Sequence, residues 1–226
     1  MSLSTMAEPQ VVSKPKHARL GALRQGVLRR YANLRVGARR SEMTSGDSRI
    51  VLTFDDFGSK TQINRLLRIL DTQRVRAVFF LIGSWAESNP DLVQKIRDKG
   101  HFVANHTYSH PDLDRLPSHD IQEQITGGVT SAWLRPPRGR YNGRIRRLAK
   151  QLGYDIKYWS IDSDDWQGSS SQAMQKKIMD EIHPGAVILF HLHADATADL
   201  LPALLPQLRE RGYKLVQPGE ELWGVK

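Results

Sequence analysis

Two adjacent carboxylates, Asp55 and Asp56, stand directly after an apolar run in the stretch IVLTFDDFGSK at residues 50–60. Adjacent acids repel, so one of them is expected to stay protonated unless a cation or a hydrogen-bond donor compensates it. A solvated turn is the ordinary alternative, since Asp and Gly are common turn residues. Farther along, His106 and His110 are four residues apart in NHTYSH. This spacing can put two imidazoles on one metal ion, although an HxxxH motif alone is weak.

The other polar residues that could do chemistry also come at the ends of predicted strands, and they are Arg135, Asp162, Asp165 and His191. In parallel α/β folds the carboxyl ends of the strands share one face, and that face carries the active site. The two histidines and one aspartate together make the ligand set of a catalytic zinc that keeps one position open for water. Such a metal would leave the other aspartate free to accept a proton.

The elements that must position these residues alternate between strand-like and helical runs from Ile50 onward. The predicted strands are IVLTF, VRAVFFLIG, HFVAN, SAWLR, YDIKYWS, GAVILFH and YKLVQ. Between them lie helical patterns such as INRLLRIL, whose apolar residues recur at i, i+3, i+4 and i+7. About seven such units favour parallel strands covered by helices, in an open doubly wound sheet or a closed barrel. No glycine-rich phosphate loop follows the first strand, so the signature of a nucleotide-binding sheet is missing.

Composition narrows the classes of protein that the chain can belong to. Its 226 residues, 39% of them hydrophobic, suit one large domain or a domain with an extension. No run approaches the ~18 apolar residues of a membrane span. Cysteine is absent, so any metal must be held by His, Asp or Glu. The net charge is +9, but residues 1–48 alone carry nine basic and three acidic residues. Because the positive charge lies mainly in a tail, we do not expect a nucleic-acid-binding surface.

Residues 1–48 are predicted to be a basic extension or linker, and residues 49–226 the folded domain. Within the extension, RLGALRQGVLRRYANLRVGARR places apolar residues at helical spacing with arginines between them. A helix at residues 17–40 could contact an anionic membrane surface, pack on the main domain, or be the linker left after removal of an anchor. No signal peptide is visible, which leaves a cytoplasmic location open.

Five short motifs occur in order and resemble those of the NodB homology domain of polysaccharide deacetylases (carbohydrate esterase family four), over roughly residues 49–216. They are TFDD (Thr53–Asp56), HTYSH (His106–His110), RPPRG (Arg135–Gly139), DSDDW (Asp162–Trp166) and LFH (Leu189–His191). Each motif alone is unspecific, but five in order at strand ends are specific. The resemblance implies a distorted (β/α)7 barrel and metal-dependent removal of acetyl groups from N-acetylated sugars of an acetylated polysaccharide or oligosaccharide, such as peptidoglycan or chitin-type GlcNAc.

The resemblance also implies a metal centre with a base beside it. Asp56, His106 and His110 would bind one divalent ion, Zn2+ in the first place and Co2+, Ni2+ or Mn2+ as substitutes. Asp55 would be the general base that takes a proton from the attacking water. Arg135 would orient and balance either Asp55 or Asp165, and the sequence leaves both partners open.

The remaining motif residues would surround the reacting amide. By the resemblance, His191 would protonate the leaving amine, with its pKa raised by Asp165. The backbone N–H of Arg138 would help to hold the oxyanion. Leu189 and Trp166 would wall the groove that takes the acetyl methyl group, although Trp166 could equally be a core residue.

Some positions depart from the family pattern or have ordinary explanations. Phe57 stands directly after the aspartate pair, where the family usually has Gly, and Arg138 replaces the usual Tyr, which could favour an acidic substrate. His101 and His193 are expected to be structural or exposed. Asp162 and Asp164 are expected to form a turn.

Two further functions are open at this point. An O-acetyl esterase acting on xylan-like polymers would need the same metal and base but less help from His191. A catalytically inactive sugar-binding domain is the other alternative, although the chain retains the full set of motif residues. Members of the family commonly work outside the cytoplasm, which implies the cell envelope or secretion.

Overall fold

The computed structural model describes residues 48–216; the helix predicted at residues 17–40 lies outside this range. The strands are β1 (Arg49–Asp56), β2 (Val78–Leu81), β3 (Phe102–Asn105), β4 (Trp133–Leu134), β5 (Asp155–Ile156), β6 (Ile161–Asp162), β7 (Val187–His191) and β8 (Lys214–Leu215). The helices are α1 (Lys60–Thr72), α2 (Gly83–Ser88), α3 (Pro90–Asp98), α4 (Ser118–Gly127), α5 (Gly143–Gln151), α6 (Ser171–Glu181) and α7 (Asp195–Glu210).

All strands pair in parallel, and the sheet order is β5-β4-β3-β2-β1-β7-β6. The last strand, β8, pairs with the first two residues of β1. The sheet curls with helices outside it, which confirms the predicted distorted (β/α)7 barrel. The longest strand, β1, lies near the middle of the path, so its carboxyl end is close to those of β2 and β7.

Side-chain alternation along β1 separates an outer core from the barrel interior. Ile50, Leu52 and Phe54 pack in the large apolar cluster between the sheet and helices α1 and α7. Val51 faces the other way, into a small apolar layer with Val78, Phe80, Ala104 and Val187. The interior side of β1 therefore becomes polar only at Thr53 and Asp55, toward the carboxyl end of the strand.

Two helices, α1 and α5, begin at residues whose side chains cap them. Helix α1 starts with a capping box, in which the side chains of Ser59 and Gln62 each accept from the other's backbone N–H. The side chain of Asn142 caps α5 by accepting from the N–H groups of Arg144 and Ile145. Helix α7 continues through Pro202 and Pro206. Prolines inside a helix cost hydrogen bonds, and the buried leucine face of α7 offsets that loss by packing in the core.

The prediction of one strand over YDIKYWS is wrong, because the structure has two short strands there. Asp155–Ile156 pairs with β4 at one end of the sheet, and Ile161–Asp162 pairs with β7 at the other end. Residues 157–160 thus pass from one edge of the curled sheet to the other. Within residues 48–216, no helix combines the length and the apolar character needed to cross a membrane.

Candidate metal centre

The aspartate pair ends β1, and the backbone lets both side chains reach the same place. In a regular strand, neighbouring side chains point to opposite faces. Asp56 has a φ of 77°, which breaks this alternation. As a result Oδ2 of Asp55 and Oδ1 of Asp56 lie 3.7 Å and 3.3 Å from Nε2 of the same residue, His106. A left-handed conformation costs a non-glycine residue about 1–2 kcal/mol.

The loop after β3 carries the two histidines and is held by the buried side chain of Asn105. Its amide donates to the carbonyl of Ile125 at 2.8 Å, and its Oδ1 accepts from the N–H of Thr107 at 2.7 Å. Gly128 leaves the room for it, because a Cβ there would lie 2.1 Å from Oδ1 of Asn105. The side chain of Thr107 then accepts from the N–H of His110. Asn105 and Gly128 together fix the course of the loop from His106 to His110.

Asp56, His106 and His110 present three ligand atoms within 4.8 Å of one another. Oδ1 of Asp56 lies 3.3 Å from Nε2 of each histidine. A tetrahedral zinc site with bonds of ~2.0–2.1 Å has ligand atoms about 3.3–3.4 Å apart. Oδ1 is buried, and within the described residues no hydrogen-bond donor reaches it. A buried carboxylate oxygen without a donor fits a cation, so these residues suit a divalent metal.

Hydrogen bonding and burial keep the two histidines suitable as ligands. Nδ1 of His106 donates to the carbonyl of Arg135 at 2.8 Å, which leaves the Nε2 lone pair facing Asp56. Burial, together with the neighbouring His106, lowers the pKa of His110 to about 4, so that this ring is neutral near pH 7. Burial opposes ionisation of Asp56, but its interactions with His106 and His110 outweigh that effect and hold its pKa below the ordinary value.

Arg135 is fully buried and forms its ion pair with Asp55, not with Asp165. Its Nη1 donates to Oδ1 of Asp55 at 2.6 Å and to Oγ1 of Thr53 at 2.9 Å. Its Nε and Nη2 donate to the carbonyls of Lys157 and Tyr158. The arginine therefore occupies one oxygen of Asp55 and leaves Oδ2 directed toward the metal ligands.

His191 ends β7 and forms a pair with Asp165. Its backbone N–H and its Nδ1 donate to Oδ2 and Oδ1 of Asp165, both at 2.7 Å. The hydroxyl of Thr197 donates to the same carboxylate. Burial disfavours the protonated ring, but the hydrogen bond and charge of Asp165 outweigh it and raise the pKa of His191. The same contacts keep the pKa of Asp165 below its ordinary value despite burial. Because His191 is the register partner of Asp55, its ring lies across from the proposed base.

The other predicted site residues differ in their exposure. Trp166 is 56% exposed, so the core alternative for it is wrong. Leu189 is buried beside Thr53 in the register between β1 and β7, one layer below Asp55 and His191. Arg138 lies in the 3-10 turn Pro137–Gly139 with a φ of 54°, and its side chain pairs with Asp112.

Asp162 and Asp164 form a turn, as expected. Residues with positive φ concentrate at the same end of the barrel. The side chain of Asp162 accepts from the N–H of Asp164, which has a left-handed φ of 58°. Among the described residues, six non-glycine residues have positive φ, and five of them lie at the ends of strands or in the loops after them, at the end of the barrel that carries the site. They are Asp56, Thr107, His110, Arg138 and Asp164. Strained backbone commonly concentrates at functional sites.

Three residues to which the sequence analysis assigns no role in the site also contact it. His193 is exposed, as expected, and its Nδ1 lies 3.7 Å from Oδ2 of Asp56. Thr197 binds Asp165, and Thr53 binds Arg135. Thr53 could be found from sequence, because it precedes Asp55 by two residues and so shares its face of β1. The contact of His193 has no comparable local signal.

The model of the polysaccharide deacetylase family matches residues 42–156. A peptidoglycan-N-acetylglucosamine deacetylase of Bacillus cereus is 32% identical over 180 residues, covering 74% of this chain and 66% of the relative. The peptidoglycan-N-acetylmuramic acid deacetylase PdaA of Bacillus subtilis is 30% identical over 177 residues, covering 73% and 67%.

A solved CE4 family pseudoenzyme from Bacillus anthracis superposes with a TM-score of 0.72 at 28% identity, covering 76% of this chain and 64% of that one. The chain spans between about half and two thirds of the length of several curated relatives that it matches. The family match covers half of the chain and includes the first three of the five motifs. The chain belongs to the polysaccharide deacetylase family.

Proposed function

We propose that the chain is a metal-dependent hydrolase that removes acetyl groups from N-acetylated sugars of a polysaccharide, with peptidoglycan as the first candidate. The main support is the meeting of three groups at one end of the barrel. These are the Asp56–His106–His110 triad, the carboxylate of Asp55 beside it, and the His191–Asp165 pair. Such a set contains the ligands, the base and the acid that amide hydrolysis requires.

Asp55 is suited to act as the base. A divalent ion held by the triad would polarise the acetyl carbonyl and lower the pKa of its water to near ~7. The guanidinium of Arg135 donates to the hydroxyl of Thr53 and to Oδ1 of Asp55, so that Oδ1 is already engaged. Oδ2 is the oxygen directed toward the triad, so it is the atom that takes the proton of the attacking water.

His191 is suited to act as the acid. An amine leaves only when it is protonated, and the ring of His191 holds a proton more firmly than an ordinary histidine because Asp165 accepts from it. Thr197 fixes Asp165 from the other side. The raised pKa favours an amide substrate over an ester, since a leaving alkoxide needs less help from an acid.

The rim residues are assigned to substrate contact. The backbone N–H of Arg138, in its left-handed turn, would donate to the oxyanion, a contribution of about 2.7–4 kcal/mol to the barrier. The exposed indole of Trp166 would form one wall of the groove, with Leu189 beneath it. The names of the relatives point to peptidoglycan, and cell-wall polymer would place the protein in the cell envelope or outside the cell.

The experiment is acetate release from peptidoglycan and from N-acetylated chitooligosaccharides in the presence of Zn2+. Parallel samples contain a chelator, or the Asp55→Asn variant, with the exposed Asp91→Asn as the matched control. We expect release by the wild type and by Asp91→Asn only. Loss of one general base should lower kcat by about 10²–10⁴-fold. Asp55→Asn should still bind zinc, because Asp55 is outside the triad.

Two outcomes would contradict the proposal. If acetate appears equally in the chelated sample, the chemistry does not depend on a metal. If the wild type binds zinc but releases no acetate from any of these polymers, the inactive sugar-binding alternative becomes the better explanation, since a pseudoenzyme shares this fold. Release from acetylated xylan alone would indicate the O-acetyl esterase, and His191→Ala should then affect turnover little.

A further inference from the structure

We propose that His193, held in place by Phe57, is a positioning residue for the metal ligand Asp56 and thereby sets how tightly the site binds its divalent ion. The inference rests on the metal site of the proposed function and adds a residue to it. Phe57 is one of the positions where the chain departs from the pattern it resembles. The structure shows that this departure and His193 are in contact.

The backbone of His193 is fixed by two neighbouring elements. Its carbonyl accepts from the side-chain amide of Gln62 at 3.1 Å, and the Oε1 of the same side chain accepts from Ser59 in the capping box of α1. The residue before it, Leu192, donates its N–H to the carbonyl of Asp55 at 3.0 Å. A Cβ on Gly58 would lie 3.1 Å from the carbonyl oxygen of Leu192. The turn after β1 and the turn after β7 are therefore packed directly against each other.

The ring of His193 lies between two aromatic neighbours. Its centroid is 5.7 Å from that of Phe57, with the planes 25° apart, and 5.6 Å from that of His191. The imidazole is 39% exposed, and Phe57 is 47% exposed, so both rings stand at the mouth of the site. Stacking on Phe57 restricts the rotation of an imidazole that would otherwise be free in solvent.

The two carboxylate oxygens of Asp56 have different neighbours. Oδ1 faces the imidazoles of His106 and His110, whereas Oδ2 faces Nδ1 of His193 at 3.7 Å. This separation is longer than a hydrogen bond, but the polar edge of an imidazole at that distance still favours the carboxylate rotamer that turns Oδ1 toward the metal. Partners of this kind, behind a metal ligand, typically change metal affinity by about 10–100-fold when they are removed.

The test measures zinc affinity of metal-free protein by competition with a chromophoric chelator, with zinc alone as the probe. His193→Ala should bind zinc about 10–100-fold more weakly than the wild type. His193→Asn should recover most of that loss, since its side-chain amide keeps an N–H donor close to the place of Nδ1. Phe57→Ala should weaken binding in the same direction, because it frees the ring. The exposed His183→Ala is the matched control and should bind like the wild type.

The unfolding midpoint of each metal-free variant shows whether the change is confined to the site, and we expect these midpoints to agree. If His193→Ala binds zinc as tightly as the wild type, the inference is wrong while the proposed metal site stands. If His193→Asn fails to recover binding and the loss far exceeds 100-fold, His193 is itself a ligand and the positioning role is wrong. If the wild type binds no zinc, the proposed metal site and this inference fall together.

Discussion

The buried Arg135–Asp55 pair allows a quantitative test of how the site is held. Arg135 has no solvent-exposed side-chain surface, and its guanidinium donates to Asp55, Thr53, and the carbonyls of Lys157 and Tyr158. Removing one partner of a buried ion pair leaves an uncompensated charge and costs about 3–5 kcal/mol. We expect Arg135→Met, which roughly keeps the side-chain volume, to lower the free energy of unfolding by this amount.

A double-mutant cycle separates the charge from the packing. In an Asp55→Asn background, Arg135→Met no longer leaves a carboxylate without its cation, although it still removes donors from the two carbonyls. The cost of Arg135→Met should therefore be smaller there, with a coupling energy of about 1–3 kcal/mol between the two sites. Urea unfolding of the four metal-free proteins, followed by tryptophan fluorescence, measures each free energy.

Additivity would refute this reasoning. If Arg135→Met costs the same in both backgrounds to within about 0.5 kcal/mol, the arginine stabilises the barrel through its other contacts and does not compensate Asp55. A loss of about 5 kcal/mol approaches the whole stability of some domains. If Arg135→Met does not fold, Arg135→Gln serves in the same cycle, since it removes the charge but keeps an amide donor.

Three further predictions test other parts of the site. Asp165→Asn removes the carboxylate that raises the pKa of His191, so the alkaline limb of the kcat/KM profile, where the acid loses its proton, should move to lower pH; a limb that stays in place would contradict the role of the pair. Gly128→Ala should destabilise the protein by about 1–3 kcal/mol in urea unfolding, because its Cβ would collide with Asn105, whereas a Cβ on Gly143 meets nothing within 4 Å and Gly143→Ala should be nearly neutral. Zinc at 100 times its Kd should raise the free energy of unfolding by about 2.7 kcal/mol. If neither zinc nor a chelator changes the thermal unfolding midpoint, the metal site is contradicted.

The sequence correctly predicts the position of a site residue when that residue lies at the end of a clearly patterned strand. Asp55, His106 and His191 follow runs whose apolar patterns are clear, and parallel pairing brings the ends of such strands to one edge. The same alternation predicts parallel strands covered by helices, but it fits an open doubly wound sheet as well as a closed barrel, and only the family resemblance implies the barrel. These predictions need the pattern of the elements and do not need the individual side-chain contacts.

The features that the sequence does not predict all depend on contacts between distant segments. Strands β5 and β6 have two residues each, and their pairing is decided by partners at opposite ends of the sheet. Arg135 pairs with Asp55 and not with Asp165 because its guanidinium lies against the interior face of β1. Thr53 and Asp55 are neighbours on that face, and both accept from it. His193 reaches Asp56 only because the turns after β1 and β7 pack together.

The adjacent carboxylates are compensated from opposite sides. Asp55 continues the alternation of β1, so its side chain points into the barrel, where the buried guanidinium of Arg135 meets it. Asp56 leaves that alternation through its positive φ, and its Oδ1 points to the two imidazoles and to no hydrogen-bond donor within the described residues. A cation there would compensate Asp56 without drawing Arg135 away from Asp55. One backbone dihedral angle thus turns a repulsive pair into two carboxylates with separate tasks, a ligand and a base. A glycine at position 56 would relieve the strain, but it would also remove the only carboxylate that the triad contains.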